Sequence, residues 1–206
     1  MQQSFRERCF TRNAVLAVRR IVSERPRRRI AMDEANQDLS GIYVDAAGHK
    51  HQLFFWYPGH PLRDADEKAL ERLTGILQEA RSLCASQGVR FCVVFLPTKF
   101  RVHGEFTHFR GDARPLEWVR NDLPDRLAAI VRSQFPGTGF LDLTPALTRQ
   151  AQSGALVYQT YDSHWSSEGH RVAATAIAEF LHEWLEADDP LWNEHGSDEA
   201  QGRPSR

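Results

Sequence analysis

Eight residues, Val89-Arg90-Phe91-Cys92-Val93-Val94-Phe95-Leu96, do most to limit what this chain can fold into. The run is almost unbroken in apolar character and rich in β-branched and aromatic side chains. A strand written this way is covered on both faces, as parallel strands are, rather than half wet. Just before it, Leu70, Leu73, Leu77, Ala80 and Cys84 recur at three- and four-residue steps, which predicts a long helix from Asp64 or Asp66, either able to cap it, to a stop before Gly88. Helix and then buried strand is the beginning of α/β winding.

The rest of the chain continues that alternation. Ile42-Tyr43-Val44 and Leu53 to Tyr57 read as two β pieces joined by a turn at Asp45-Ala46-Ala47-Gly48, and Pro58-Gly59-His60-Pro61 breaks the chain after them. Pro97 to Arg114 reads as a polar, aromatic loop. A helix is expected from about Leu123 to Phe135, a strand over Gly139 to Leu143, a small helix from Thr144 to Gln152 and a third strand over Ala155 to Tyr158. The last helix runs from about Glu168 to Glu186 with Ala173, Ile177, Phe180, Leu181 and Trp184 as its stripe. Helices alternating with strands over residues 64 to 186 argue for an α/β fold with a three-layer sheet and right-handed crossovers. Loops after Pro97, Thr144 and Gln159 then meet at the carboxyl ends of the strands, where such sheets carry their chemistry.

Composition excludes several alternatives. The chain has 206 residues, 41% hydrophobic and 26% charged, so disorder throughout, collagen-like repetition and coiled-coil bias all fit badly. No apolar stretch approaches the ~20 residues that span a bilayer, and no transmembrane segment is expected. Three cysteines, Cys9, Cys84 and Cys92, make neither an even disulfide framework nor a CxxC pair. The net charge of −1 conceals nine arginines within residues 1 to 30 and seven acids within 183 to 206. Such blocks are ordinarily solvated faces or tails. Contact of the basic end with nucleic-acid or lipid phosphate is the alternative, and the lack of interleaved aromatic residues argues against nucleic acid. We therefore divide the chain into a basic helical segment over 1–40, with a helix at 11 to 23, an α/β domain over 41–188, and a disordered acidic tail over 189–206. Val15 to Val18 is interrupted by Arg19 and Arg20, so no secretory signal is visible.

The segment richest in chemistry is Tyr161-Asp162-Ser163-His164-Trp165-Ser166-Ser167-Glu168-Gly169-His170. In extended backbone, residues i and i+2 project to one side, so Asp162 and His164 emerge together. A carboxylate on one ring nitrogen selects the tautomer and frees the other nitrogen to take a proton. A turn-and-cap cluster is the equally good structural reading of the same spacing. Trp165 is placed to wall the site, and Ser166 or Ser167 to cap the helix that follows. Lys99, at the end of the buried strand, is a candidate to hold an anionic sugar or an oxyanion, against the plainer reading of a lysine lying along the surface; Arg101 is treated alike. A metal set from Asp162, His164 and His170 is available, as are the His49/His51 and His103/His108 pairs. We assign no metal and no cofactor, because His170 lies on the helix and loop histidines are usually solvated.

These residues resemble the SGNH (GDSL-type) hydrolase-like proteins, and among them the alginate O-acetylation type. Asp162-Ser163-His164-Trp165 with Gly169-His170 and Val172-Ala173-Ala174-Thr175-Ala176 is similar to that family's last block. Val93 to Lys99 looks like its strand ending in Pro-Thr-Lys, and Leu141-Asp142-Leu143-Thr144-Pro145-Ala146-Leu147 like its Asp-Leu-Thr piece. The resemblance covers about residues 64 to 186. It implies a flavodoxin-like α/β/α fold, ester hydrolysis or acyl transfer on an acylated carbohydrate or similar ester, His164 as base with Asp162 supporting it, and a bacterial cell-envelope setting. One departure stands out: the family's Gly-Asp-Ser block has no match, since Gly196-Ser197-Asp198 reverses the order and follows no strand, and Asn121-Asp122 begins a helix instead of forming an oxyanion block. Two expectations follow. Either the chain is the carboxyl-terminal portion of a longer enzyme, its sheet incomplete at the amino-terminal edge, or it is a relative that keeps the fold and binds carbohydrate without reaction.

Overall fold

The computed structural model describes residues 36–186. The helix expected at 11 to 23, most of the basic segment and the acidic tail lie outside the described residues. What is described is a mixed α/β arrangement with two separate sheets.

The first sheet grows from a hairpin. Strands β1 (Ser40–Val44) and β2 (Lys50–Phe54) pair antiparallel, with Ile42 opposite Gln52. Asp45 closes the turn: its Oδ1 accepts from the backbone N–H of Ala47 (2.9 Å) and His49 (2.8 Å), and its Oδ2 lies 2.8 Å from His51 Nε2. The His51 hydrogen bond first, and these backbone donors with it, hold the Asp45 carboxyl well below the usual carboxylate range. Gly48, with φ of 82°, supplies the left-handed residue that the turn needs.

The second sheet is the parallel pair expected from the Val89–Leu96 run, though shorter. Strand β3 (Cys92–Phe95) lies beside β5 (Gly139–Asp142), with Cys92 opposite Gly139 and Phe95 opposite Asp142. All four β3 residues are half-buried, and Leu96 just after them is 59% exposed, so this strand is less covered than its sequence predicts. Between the two strands the chain forms the short helix α2 (Lys99–His103), strand β4 (Thr107–Phe109) and helix α3 (Leu123–Gln134). The Pro97–Arg114 stretch, expected as loop, thus contributes a helix and a strand. Strand β4 pairs antiparallel with the free edge of β1, with His108 opposite Ile42.

Helix α1 (Asp64–Ser86) starts where the sequence indicates: the Asp66 carboxylate accepts from the Arg63 backbone N–H at 2.9 Å. Its Leu77 joins Val131 of α3 and Phe135 just after it in one apolar cluster. Helices α4 (Thr144–Gln152) and α5 (Ser167–Glu186) enclose the main cluster with Leu143, Leu147, Val157, Tyr158 and Val172. The hairpin is tied to this core by buried Tyr43, whose hydroxyl donates to the Ala151 carbonyl at 2.6 Å. The strand expected over Ala155 to Tyr158 does not form. Only a single antiparallel bridge between Tyr158 and Trp165 is present, because the chain folds back on itself through residues 159–164 instead of adding to the β3–β5 pair.

That fold-back depends on one close approach. A Cβ on Gly169 would sit 2.0 Å from the Val157 carbonyl oxygen, so the first turn of α5 can lie against this segment only with glycine there. The obstruction is backbone and cannot swing away. Gly169→Ala is expected to lower stability by about 2 kcal/mol or more, read from urea or thermal unfolding; a variant as stable as the parent refutes this packing.

Candidate active site

Residues 159–166 form a tight loop between the Tyr158 bridge and α5. The Gln159 N–H donates to the His164 carbonyl (2.9 Å) and the Ser166 N–H to that of Val157 (3.0 Å), which closes the loop at its base. Ser166 caps α5, as expected: its Oγ accepts from the Gly169 N–H at 3.1 Å and donates to the Leu156 carbonyl at 2.6 Å. Trp165 is half-buried against the main apolar cluster, with His170 edge-on at 5.5 Å. It walls the loop from the protein side.

At the crest of the loop, Asp162 and His164 meet. Asp162 Oδ1 accepts from the His164 backbone N–H at 2.8 Å and lies 3.3 Å from ring Nδ1. One oxygen therefore serves both readings of the spacing, the Asx-type turn and the oriented imidazole. With hydrogen on Nδ1 facing the carboxylate, Nε2 carries a free lone pair. The His164 side chain is 83% exposed and that of Asp162 54%, so the pair is presented to solvent. The ring contact is an ion-pair distance, and the hydrogen bond between the two residues runs to the His164 backbone.

The loop is anchored by groups that are distant in sequence. Trp56 Nε1 donates to the Tyr161 carbonyl at 2.7 Å, and the Phe54 N–H donates to the Thr160 carbonyl at 2.9 Å. The Tyr158 hydroxyl donates to the Pro97 carbonyl at the end of β3; burial pushes it up to about 12. Phe54 packs on Trp56 and Tyr161, with ring centroids 6.2 and 5.1 Å away. Sequence reading placed Phe54, Trp56 and Tyr57 in a strand and missed this frame. Its only sequence signal is a run of four consecutive aromatic residues, Phe54 to Tyr57. Phe54, Trp56 and Tyr57 line, with Thr98, Lys99, Phe100 and Ser163, a small cavity of about 10 Å³.

Lys99 is placed differently from the expectation that its ammonium reaches an open cleft. It is only 3% exposed, and Nζ donates to the carbonyls of Phe54 (2.9 Å) and Thr160 (3.3 Å). Burial pulls its pKa down to about 8, and the attraction of Asp162 opposes that shift. Arg101 turns the other way: it is half-buried and donates to the carbonyl and side-chain oxygens of Asn121, both at 2.7 Å. Asn121 in turn donates to the His60 carbonyl at 2.9 Å, so it acts as a clasp before α3.

Of the histidine pairs weighed as metal ligands, His49 and His51 stay together on Asp45, whereas His103 is fully buried and His108 is exposed on β4. Among the described residues no group of three or more His, Cys, Asp or Glu side chains is placed to hold a metal ion. No described helix is long and apolar enough to cross a membrane.

Residues 53–196 match the family described as the SGNH hydrolase-like domain of the acetyltransferase AlgX. The chain belongs to this family. The match includes the aromatic frame at Phe54–Tyr57, β3 with the Pro97-Thr98-Lys99 turn, and the Asp162–His164 loop, and it extends the resemblance visible from residue 64 back to the last residues of β2. No curated protein and no solved structure matches the chain.

The Lys99 ammonium makes stability depend on pH in a definite direction. Its pKa is about 8 folded against 10.5 in an ordinary lysine. The unfolded chain therefore binds more protons between those values, and stability rises with pH across that window. The full gain from this group is about 3 kcal/mol as an upper bound. Urea unfolding at stepped pH is expected to show the rise, and Lys99→Met to remove it; equal slopes in both proteins refute the burial of a charged lysine.

Proposed function

We propose that this chain is an acyl-transfer domain, acting as an esterase or O-acetyltransferase on an acylated carbohydrate, with His164 as general base and Asp162 as its orienting partner. The observation that carries the reading is the 3.3 Å contact of Asp162 Oδ1 with His164 Nδ1 on a loop whose far side is open. Family membership supports it independently. In this reading Nε2 takes the proton of a serine hydroxyl as the serine oxygen attacks the ester carbonyl. The imidazolium then returns that proton to the departing alkoxide, and a sugar hydroxyl or water repeats the sequence to release the acyl group. Half-buried Trp56 and exposed Tyr57 offer aromatic faces suited to a sugar ring near the loop. This reading takes the serine from elsewhere than a Gly-Asp-Ser block, which the sequence lacks.

We also infer that β3 and β5 belong to a larger three-layer, flavodoxin-like sheet. The half-exposed apolar side chains of β3 support this, as a parallel strand of that composition is ordinarily covered on both faces.

A second reading, a carbohydrate-binding relative without turnover, is favoured by the missing Gly-Asp-Ser block. The two separate in one experiment. The coding region extended on both sides of this chain is expressed and assayed on a small acetyl ester. His164→Ala is expected to lower kcat/KM by at least about 100-fold. Full activity in that variant removes the acyl-transfer mechanism, whereas binding of acetylated polysaccharide with no turnover in the parent supports the second reading.

A further inference from the structure

Among the described residues, four buried side-chain atoms lack a hydrogen-bond partner, and two of them are the ring nitrogens of His103. His103 closes α2 and is 0% exposed. Its ring stands edge-on to Tyr43 of β1, with centroids 4.8 Å apart, and edge-on to Tyr158, 6.0 Å away. Both tyrosines are tie points of the fold. Tyr43 donates to the Ala151 carbonyl and so fastens the β2–β1–β4 sheet to α4; Tyr158, at the base of the site loop, donates to the Pro97 carbonyl.

A neutral imidazole always carries one N–H, and here no oxygen or nitrogen accepts it. Phenylalanine or leucine would fill the place without burying a polar hydrogen. What histidine adds is a second charge state. The protonated ring has two N–H groups and a full charge, and its surroundings can satisfy neither. The titratable groups that face it are Tyr43 from β1, Tyr158 ahead of the loop and Lys99 one turn back on α2. From β4 comes Thr107, whose hydroxyl donates to the His103 carbonyl at 2.8 Å, and α4 buries apolar Leu147 and Ala151. None of these supplies a negative charge, since burial pushes both tyrosines up to about 12. Burial, and after it the charge of Lys99, pushes the ring itself down to about 3.

We infer that His103 is an acid-sensitive latch: uncharged, it sits wedged between Tyr43 and Tyr158 and the β2–β1–β4 sheet lies on the core; given a proton, the ring must reach water, and the sheet comes away. The site loop feels this release because its anchors come from the end of that sheet. The Phe54 N–H holds the Thr160 carbonyl, and Trp56 Nε1 holds that of Tyr161. The release is independent of what the loop binds or transfers.

Two amides report it, since their acceptors lie across the divide: Ala46 N–H donates to the Gly154 carbonyl at 3.2 Å and Phe54 N–H to that of Thr160 at 2.9 Å. The test follows hydrogen exchange of the full chain from about pH 7.5 to about pH 4.5, a range that spans the protonation of an exposed histidine. Such a ring takes up its proton near 6.5. The open form therefore gains about tenfold for each pH unit below that value. Protection of the two amides is expected to fall across the range by about 100-fold more in the parent than in His103→Phe or His103→Leu, whichever folds, because carboxylates titrate alike in all three. Val131 in α3 is expected to stay at least about tenfold better protected than either amide at the acid end. Constant protection of both amides in the parent overturns the latch without any variant, and so does an equal fall in a folded variant. Equal protection of Val131 overturns it too, since the whole domain then opens together.

Discussion

The buried ammonium of Lys99 is the interaction on which the arrangement of this molecule turns. It joins the end of the antiparallel hairpin, the end of the first parallel strand and the loop after Tyr158, three segments that no shared strand pairing connects. Around it, Phe54, Trp56 and Tyr161 stack and two further backbone carbonyls find donors. A polar contact of this kind specifies position more sharply than apolar packing does, because a displaced ammonium leaves a buried charge without partners.

The loop built on that contact is rigid at its base and open at its crest. Backbone hydrogen bonds at Gln159 and Ser166 and the cap on α5 fix the ends, whereas the imidazole of His164 stands in solvent. The proposed role of His164 as a base draws on that combination, one side of the ring facing Asp162 and the other facing solvent.

Much of this was legible in the sequence. The hairpin, the four longer helices and the two parallel strands lie close to where periodicity and turn residues place them, and Ser166 caps the helix as its position suggests. Other elements were not. Strand β4 is three residues long and is a strand only because β1 offers it an unpaired edge. Residues 155–158 carry strand composition yet make a single bridge, since the chain turns back through the site loop before a ladder can form. Family membership was readable from the ordered pieces around Pro97, Asp142 and His164.

Local order in the chain determined which residues form helices and strands, and that Asp162 and His164 stand together, because helical and extended periods relate neighbours only a few positions apart. Tertiary structure alone decided that Lys99 turns inward, that Phe54, Trp56 and Tyr161 frame the loop, and that Gly169 admits α5 against Val157. The carbonyls that hold the ammonium come from 45 and 61 residues away, and no local pattern encodes where oxygens so remote will lie. Burial of a charge is a property of the assembled surroundings, not of the residue that carries it.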